Sequence, residues 1–407
     1  MEIINQVLQH IIQALEISFV VYFCFSGLYI LIFSIAAITY RKRENSPNIE
    51  PSSMVVFIPA YKEDQVIVNV AKEAIRQKYP SSFFDVVIIA DSMQPETITE
   101  LNELPIKVLE VSFENSTKAK ALKGAMKSLE RNYDYAVILD ADNVMELEFL
   151  SKMNNAFNQG YKVVQGHRKA KNLNTAYAIL DAASEEINNH IYRRGHRALN
   201  LSSGLIGSGM GFEYKLFQSI MEPIQAVGGF DKELEFELAQ KQIRIEYLQD
   251  AVILDEKIQN ASDFSNQRKR WLSSQFVYFR RYVGTSFKEL FIKQNITFFD
   301  KVWQMFLLPR ILILGITVII TFIYVLNIFV FKHETTVSLY FWLVNLTLVI
   351  SAFLLALPRY FYNKDTLKAM ASIPSSFFIM FFLLFKLKGA NKKFIHTTHG
   401  VAKKIIQ

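Results

Sequence analysis

Five consecutive residues, Gln267-Arg268-Lys269-Arg270-Trp271, bring together two guanidinium groups, an ammonium, an amide and an indole. Planar guanidinium forks match the oxygens of a diphosphate, and a flat indole matches the face of a sugar ring. The cluster lies shortly before a long apolar segment, so its chemistry suits a phosphorylated sugar handled at a bilayer surface. A basic-aromatic anchor beside a membrane would use the same residues. A second candidate is Asp140-Ala141-Asp142, which follows the apolar run Tyr135-Ala136-Val137-Ile138-Leu139. Two carboxylates at a strand end offer oxygen ligands suited to Mg²⁺ or Mn²⁺. An aspartate at such a point also caps a following helix. Pro59-Ala60-Tyr61-Lys62-Glu63-Asp64 and Asp91 close two further apolar runs. Together these acidic ends make an electronegative rim, suited to phosphate only if a metal bridges them.

These residues need a scaffold. Between Asn45 and about Lys293, short apolar runs (Met54 to Ile58, Val86 to Ile89, Ala136 to Leu139) alternate with amphipathic stretches such as Lys118 to Arg131. Continuous apolar strands spaced by helices predict a mostly parallel sheet covered on both faces. Open sheets of this kind bind ligands at the carboxyl ends of their strands, where the carboxylates fall. The stretch Ser202 to Gly211 is rich in glycine and leaves amides free for oxygen. It lacks the strand-to-helix unit and downstream acid of a dinucleotide loop. Gln165 and Arg168, after a strand expected to end at Val163-Val164, are weaker candidates for the site.

Of the 407 residues, 51% are hydrophobic and 14% aromatic, and they are unevenly spread. Apolar runs at about Phe19 to Tyr40, Ile311 to Phe331 and Val337 to Leu357 are each long enough to cross a bilayer, which takes roughly 20 residues. The basic flank Arg41-Lys42-Arg43 sets the N-terminus outside and the following domain in the cytoplasm, and Arg359, Lys364 and Lys368 agree. A fourth stretch, Ile373 to Phe385, is short and has Pro374 near its start, so it is expected to be interfacial or re-entrant. The first run lacks a basic leader and a small-residue cleavage site, so a retained anchor is expected rather than a secretory signal. Cys24, the single cysteine, lies in that run and excludes a disulfide framework or cysteine-based metal site. The net charge of +7 gathers beside the apolar runs, which points to anionic lipid headgroups and not to nucleic acid. The expected organisation is an anchor over 1–44, a cytoplasmic domain over 45–293 and a membrane region over 294–407 with a basic tail.

Pro59-Ala60-Tyr61-Lys62-Glu63, Asp91, Lys118-Ala119-Lys120-Ala121-Leu122, Asp140-Ala141-Asp142, Asp231-Lys232-Glu233-Leu234 and Gln267-x-x-Arg270-Trp271 span about 210 residues. In order and spacing the set resembles the membrane-embedded family-2 glycosyltransferases of the cellulose, chitin and hyaluronan synthase type. The resemblance implies the α/β GT-A fold, a mostly parallel, Rossmann-like nucleotide-sugar-binding domain, joined to α-helical transmembrane segments. It implies a UDP-sugar donor and a divalent cation, Mg²⁺ or Mn²⁺, on Asp142. Ala60, Tyr61, Glu63, Asp91, Lys118 and Asp140 would bind the nucleotide. Gln267, Arg268, Arg270 and Trp271 would hold the acceptor and diphosphate, with Gly207, Ser208 and Gly209 bordering the acceptor sugar. Asp231 aligns with the general base. Phe230 stands where the family has a glutamate, which leaves Glu233 as the runner-up.

The activity so implied is inverting transfer of a hexosyl or N-acetylhexosaminyl group to a growing polysaccharide or glycan, processive because Gln-x-x-Arg-Trp is typical of polymer synthesis. Single transfer to a lipid-linked acceptor is the enzymatic alternative, and an inactive nucleotide-sugar or glycan-binding scaffold the non-enzymatic one. Three spans make a thin channel, so a homodimer or accessory export subunit would complete any path for product. The expected setting is a bacterial inner (plasma) membrane.

Overall fold

The computed structural model describes residues 2–41, 49–225, 228–332 and 337–387. Lys42 and Arg43 of the first basic flank, the loop residues His333 and Glu334, and the basic tail from Lys388 lie outside the described residues.

Eight strands form one sheet: β1 Met54–Tyr61, β2 Phe84–Asp91, β3 Lys107–Val111, β4 Tyr135–Ile138, β5 Val144–Met145, β6 Val163–Ala170, β7 Met210–Glu213 and β8 Ile245–Asp255. Their order is β3-β2-β1-β4-β7-β6-β8-β5. The β1, β2, β3 and β4 pairings are parallel, as is β6 with β8, while β7 runs antiparallel between β4 and β6. The parallel half comes from the apolar runs expected of strands buried on both faces, and β1 from Met54 to Ile58 is wholly buried. One face packs Ile67, Val70, Phe149 and Met153 against alternate strand residues such as Val56 and Ile58. The other face packs Leu122, Phe217 and Leu234 against Val55 and Phe57. The strand β6 runs to Ala170, so Gln165 and Arg168 sit within it and not beyond its end.

Four helical runs are long and apolar enough to cross a membrane: Ile3–Thr39, Arg310–Phe329, Leu339–Ala356 and Lys364–Leu383. The first packs on the third through Phe23, Ile30 and Trp342, and Ser34 Oγ donates to Ala352 O at 2.8 Å. The fourth is longer than the apolar stretch Ile373 to Phe385 read from the sequence. Helical geometry begins at Lys364, ahead of Ile373, and the run reaches 20 residues. Its early turns carry Lys364, Asp365 and Lys368, which mask the helix in an apolar scan. Pro374 lies in the first turn of the Ile373–Leu383 segment, where its missing N–H costs least. Phe377, Met380 and Leu383 pack on Leu272 and Leu312, joining this run to the Arg310–Phe329 helix and to the long helix Ala261–Lys293.

Candidate active site

Strand ends, a glycine-rich loop and several helices converge on a cavity of about 1530 Å³. Ala60, Tyr61, Glu63, Asp91, Lys118, Asp140 and Asp142 all line it. Tyr61 and Asp91 are register partners at the ends of β1 and β2. Lys62 then takes a left-handed φ of 55°, and its N–H donates to Asp91 O at 3.2 Å, which turns the chain out of the sheet.

Lys118 begins the helix Lys118–Ser128, where Thr117 Oγ1 caps by accepting from Lys120 N–H at 3.2 Å. Its ammonium donates to the Asp140 carboxylate and to Gly207 O at 2.7 Å, with the Phe230 ring centroid 5.2 Å away. Phe230, where the resemblance led us to expect a glutamate, therefore gives Lys118 an aromatic neighbour. Asp140 N–H donates to Ser208 Oγ at 2.9 Å, and Ser208 Oγ donates to Asn143 Oδ1 at 2.5 Å. Asn143 Nδ2 then donates to Asp142 Oδ1 and to Asp255 Oδ1, each at 3.0 Å. Burial alone would raise the Asp255 carboxyl, but Lys257 at 2.6 Å and Arg168 hold it below its usual value.

Asp231 lies in the first turn of the helix Phe230–Gln240 and lines the cavity beside Lys118 and Gly207. Gly229 starts this turn in the left-handed region, at φ 71°. Gly207 also has positive φ, at 83°, and a Cβ there would make only an ordinary contact with Asp231, so the backbone conformation and not the space calls for glycine. Burial raises the Asp231 pKa, with Lys232 and Lys118 opposing. Glu233 is turned elsewhere: it accepts from Arg281 Nη1 at 2.8 Å and does not line the cavity. Ser208 and Gly209 stand behind the wall, not on it, and Gln165 is wholly buried, holding the Ser208 and Gly209 carbonyls at 2.9 and 3.2 Å. Arg168 does reach the cavity, with Glu185 Oε2 at 2.7 Å from Nη2.

The third wall is the helix Ala261–Lys293, capped by Asn260 Oδ1 on Asp263 N–H at 3.0 Å. Helical spacing puts Gln267, Arg270 and Trp271 on one stripe, and all three line the cavity. The Gln267 Oε1 atom is buried without a hydrogen-bond partner. Arg268 binds the Asp181 carboxylate, and its guanidinium lies 4.4 Å from the Trp271 ring centroid. Burial lowers the Arg270 pKa.

Sequence reasoning missed Asp181, Glu185, Asp255, Lys257 and Arg310, all on the cavity wall. Asp255 carried a readable signal, since it ends the apolar run Ala251-Val252-Ile253-Leu254 as Asp140 ends its own. The others are lone polar residues on helices and loops, without a motif.

No curated protein matches the chain. Among solved structures it is similar to a mannosyltransferase, PcManGT from Pyrobaculum calidifontis, in complex with GDP-Man and Mn²⁺. The identity is 13%, the coverage 84% of this chain and 97% of that one, and the TM-score 0.49. Residues 51–274 match the family described as glycosyltransferase like family 2. That match takes in every strand, the Asp-x-Asp end of β4, Asp231 and Gln267 to Trp271, and by it the chain belongs to the family 2 glycosyltransferases.

Proposed function

We propose that this glycosyltransferase moves a hexosyl or N-acetylhexosaminyl group from a UDP-sugar to a sugar hydroxyl, with inversion at the anomeric carbon. The 45–293 domain faces the cytoplasm in this reading, with the apolar helices in the membrane. One observation carries the mechanism. Asp231 borders the cavity beside Lys118, while Glu233 is engaged with Arg281 away from it. Asp231 accepts the proton of the acceptor hydroxyl as that oxygen attacks the anomeric carbon. The bond to UDP breaks on the opposite face, and its electron pair leaves with the diphosphate. A raised carboxyl pKa makes Asp231 a better base than an ordinary aspartate.

Tyr61, Glu63 and Asp91 take the uracil side of the donor, and Lys118 exchanges Asp140 for phosphate oxygen. Asp140 and Asp142 are hard oxygen donors suited to Mg²⁺ or Mn²⁺. Among the described residues no group of three or more His, Cys, Asp or Glu forms a cage, so diphosphate oxygens would complete the coordination. Such a cation would neutralise charge on the departing UDP. Arg270 faces the diphosphate, Trp271 stacks on the acceptor sugar, and the unpartnered Gln267 Oε1 accepts from one of its hydroxyls. The test is nucleotide release from a panel of UDP- and GDP-sugars with each metal. Turnover of UDP-sugars alone supports the donor assignment, and turnover of GDP-sugars alone overturns it.

A further inference from the structure

The helix Ile296–Phe306 carries two adjacent buried charges, Asp300 and Lys301. Consecutive residues point about 100° apart around a helix, and these two face different neighbours. Lys301 meets Glu235 Oε1 at 2.7 Å, on the helix whose first turn holds Asp231. Asp300 meets the first membrane-length helix, Ile3–Thr39, where Tyr29 Oη donates to its Oδ1 at 2.6 Å. His196 Nε2 lies 3.2 Å from Asp300 Oδ2 and 3.1 Å from Tyr29 Oη. Gln304 Nε2 donates to Asp300 Oδ2 at 2.8 Å and is 3.0 Å from His196 Nε2. His196 Nδ1 lies 2.9 Å from Ile191 O, which can only accept, so that nitrogen carries a proton. Burial alone would raise the Asp300 carboxyl, but His196, Lys301 and Tyr29 hold it below its usual value.

His196 follows the π-helical turn Asn189–Gly195, whose Tyr192 and Arg193 line the cavity. The membrane helix touches this turn directly. A Cβ on Gly195 would fall 2.2 Å from Phe33 O, and the Phe33 ring stacks on the His196 imidazole with centroids 3.8 Å apart. Tyr29 therefore joins the membrane helix to two walls of the cavity: the Tyr192 and Arg193 wall through His196, and the Asp231 wall through Asp300, Lys301 and Glu235. Anchoring requires neither link. Phe23 and Ile30 already pack on Trp342, and a buried charged cluster adds little net stability over an apolar one of the same size.

We propose that Tyr29 and Asp300 are positioning residues for sugar transfer, which set the helix Phe230–Gln240, and with it Asp231, against the first membrane helix. This rests on Asp231 as the base and adds what fixes its place. The test is Tyr29→Phe in the full chain in detergent, which removes one hydroxyl and no charge. Ser34→Ala is the control, since it removes a hydroxyl of the same helix that bonds Ala352 O. Hydrogen–deuterium exchange over Phe230–Gln240 should quicken at least about threefold in Tyr29→Phe and not in Ser34→Ala, with β1 and β2 unchanged in both. For the nucleotide sugar turned over in the donor panel, kcat should fall about 10- to 10²-fold with donor KM unchanged. In a Lys301→Met background the same change should cost less than about twofold, because the path is already cut. The pair Glu235→Gln with Lys301→Met serves as that background if Lys301→Met alone does not fold. Unchanged exchange over Phe230–Gln240, exchange quickened equally across the sheet, a higher donor KM in place of a lower kcat, or losses that multiply would each overturn the proposal. If Asp231→Asn transfers as the parent does while the losses still fail to multiply, the base assignment falls and the coupling stands.

Discussion

Two carboxylates one helical turn apart, Asp231 and Glu235, separate the reacting face of this molecule from its supporting frame. Asp231 faces the cavity, and burial raises its pKa. Glu235 faces inward, almost wholly buried, with Lys232 Nζ at 2.8 Å and Lys301 Nζ at 2.7 Å. Burial alone would raise it, yet the two ammonium groups outweigh that and lower it to about 2. Lys301 also donates to Ser203 O at 3.0 Å, and Leu205 N–H reaches Glu235 Oε2 at 3.3 Å. The network thus ties the Asp231 helix to the glycine-rich loop in front and to the helix Ile296–Phe306 behind. A buried carboxylate held between two ammonium groups fixes geometry, while an under-compensated one at the cavity is ready to take a proton.

The largest effect should come from breaking the reacting side. Asp231→Asn is expected to lower transfer by about 10²–10⁴-fold, the usual worth of a positioned general base, with UDP affinity retained. Single-turnover kinetics beside UDP titration would check this, and undiminished transfer would move the base elsewhere. The two carboxylates also predict losses on acidification in different pH ranges. Asp231 works as a carboxylate with a raised pKa, so transfer should fall as pH drops through a range above that of an ordinary aspartate. Glu235 has a depressed pKa, so its stabilisation is present above about 4.5 and fades as pH falls towards about 2.

Next in size is the frame. Lys301→Met leaves Glu235 buried with half its compensation, and loss of a buried partner costs about 3–5 kcal/mol. Denaturant unfolding should show that loss, and Glu235→Gln combined with Lys301→Met should recover part of it. A single variant as stable as the parent would mean that Lys232 alone suffices.

The two sides were unequally legible in the sequence. The strand-end carboxylates of β1, β2 and β4 were readable because a parallel strand is a run of apolar residues that stops where the ligand begins. The Gln267 to Trp271 cluster was readable as a motif, but its geometry needs the helix, which places Gln267, Arg268, Arg270 and Trp271 on the cavity and pairs Arg268 there with Asp181. The Glu235–Lys301 pair left no trace, since its partners lie on separate helices and each looks like a solvated charge. Arg310 reads as a flank of the second span, yet it reaches the cavity because Ser184 and Asn188 draw its guanidinium towards the domain. Motifs report local chemistry. The tertiary fold decides which charges find partners.

A smaller effect tests the acceptor wall. Trp271→Ala removes a ring whose stacking is worth about 0.5–1.5 kcal/mol beyond its area, and it also removes the surface on which Arg268 lies. Acceptor KM should rise up to about tenfold with UDP affinity unchanged. Collapse of UDP affinity would instead put Trp271 on the donor side.

The smallest expected effect decides most about the base. Glu233 and Arg281 form a pair whose arginine side chain is 54% exposed, so the interaction is worth only about 0.2–1 kcal/mol. Glu233→Gln keeps the shape and one acceptor oxygen, and transfer should stay within about threefold of the parent while stability drops by that small amount. If Glu233 were the proton acceptor, the same change would cost about 10²–10⁴-fold, as for Asp231. The two variants measured side by side therefore separate a carboxylate on the cavity from its helix neighbour turned to Arg281, and only a large loss for Asp231→Asn with a small one for Glu233→Gln fits the geometry.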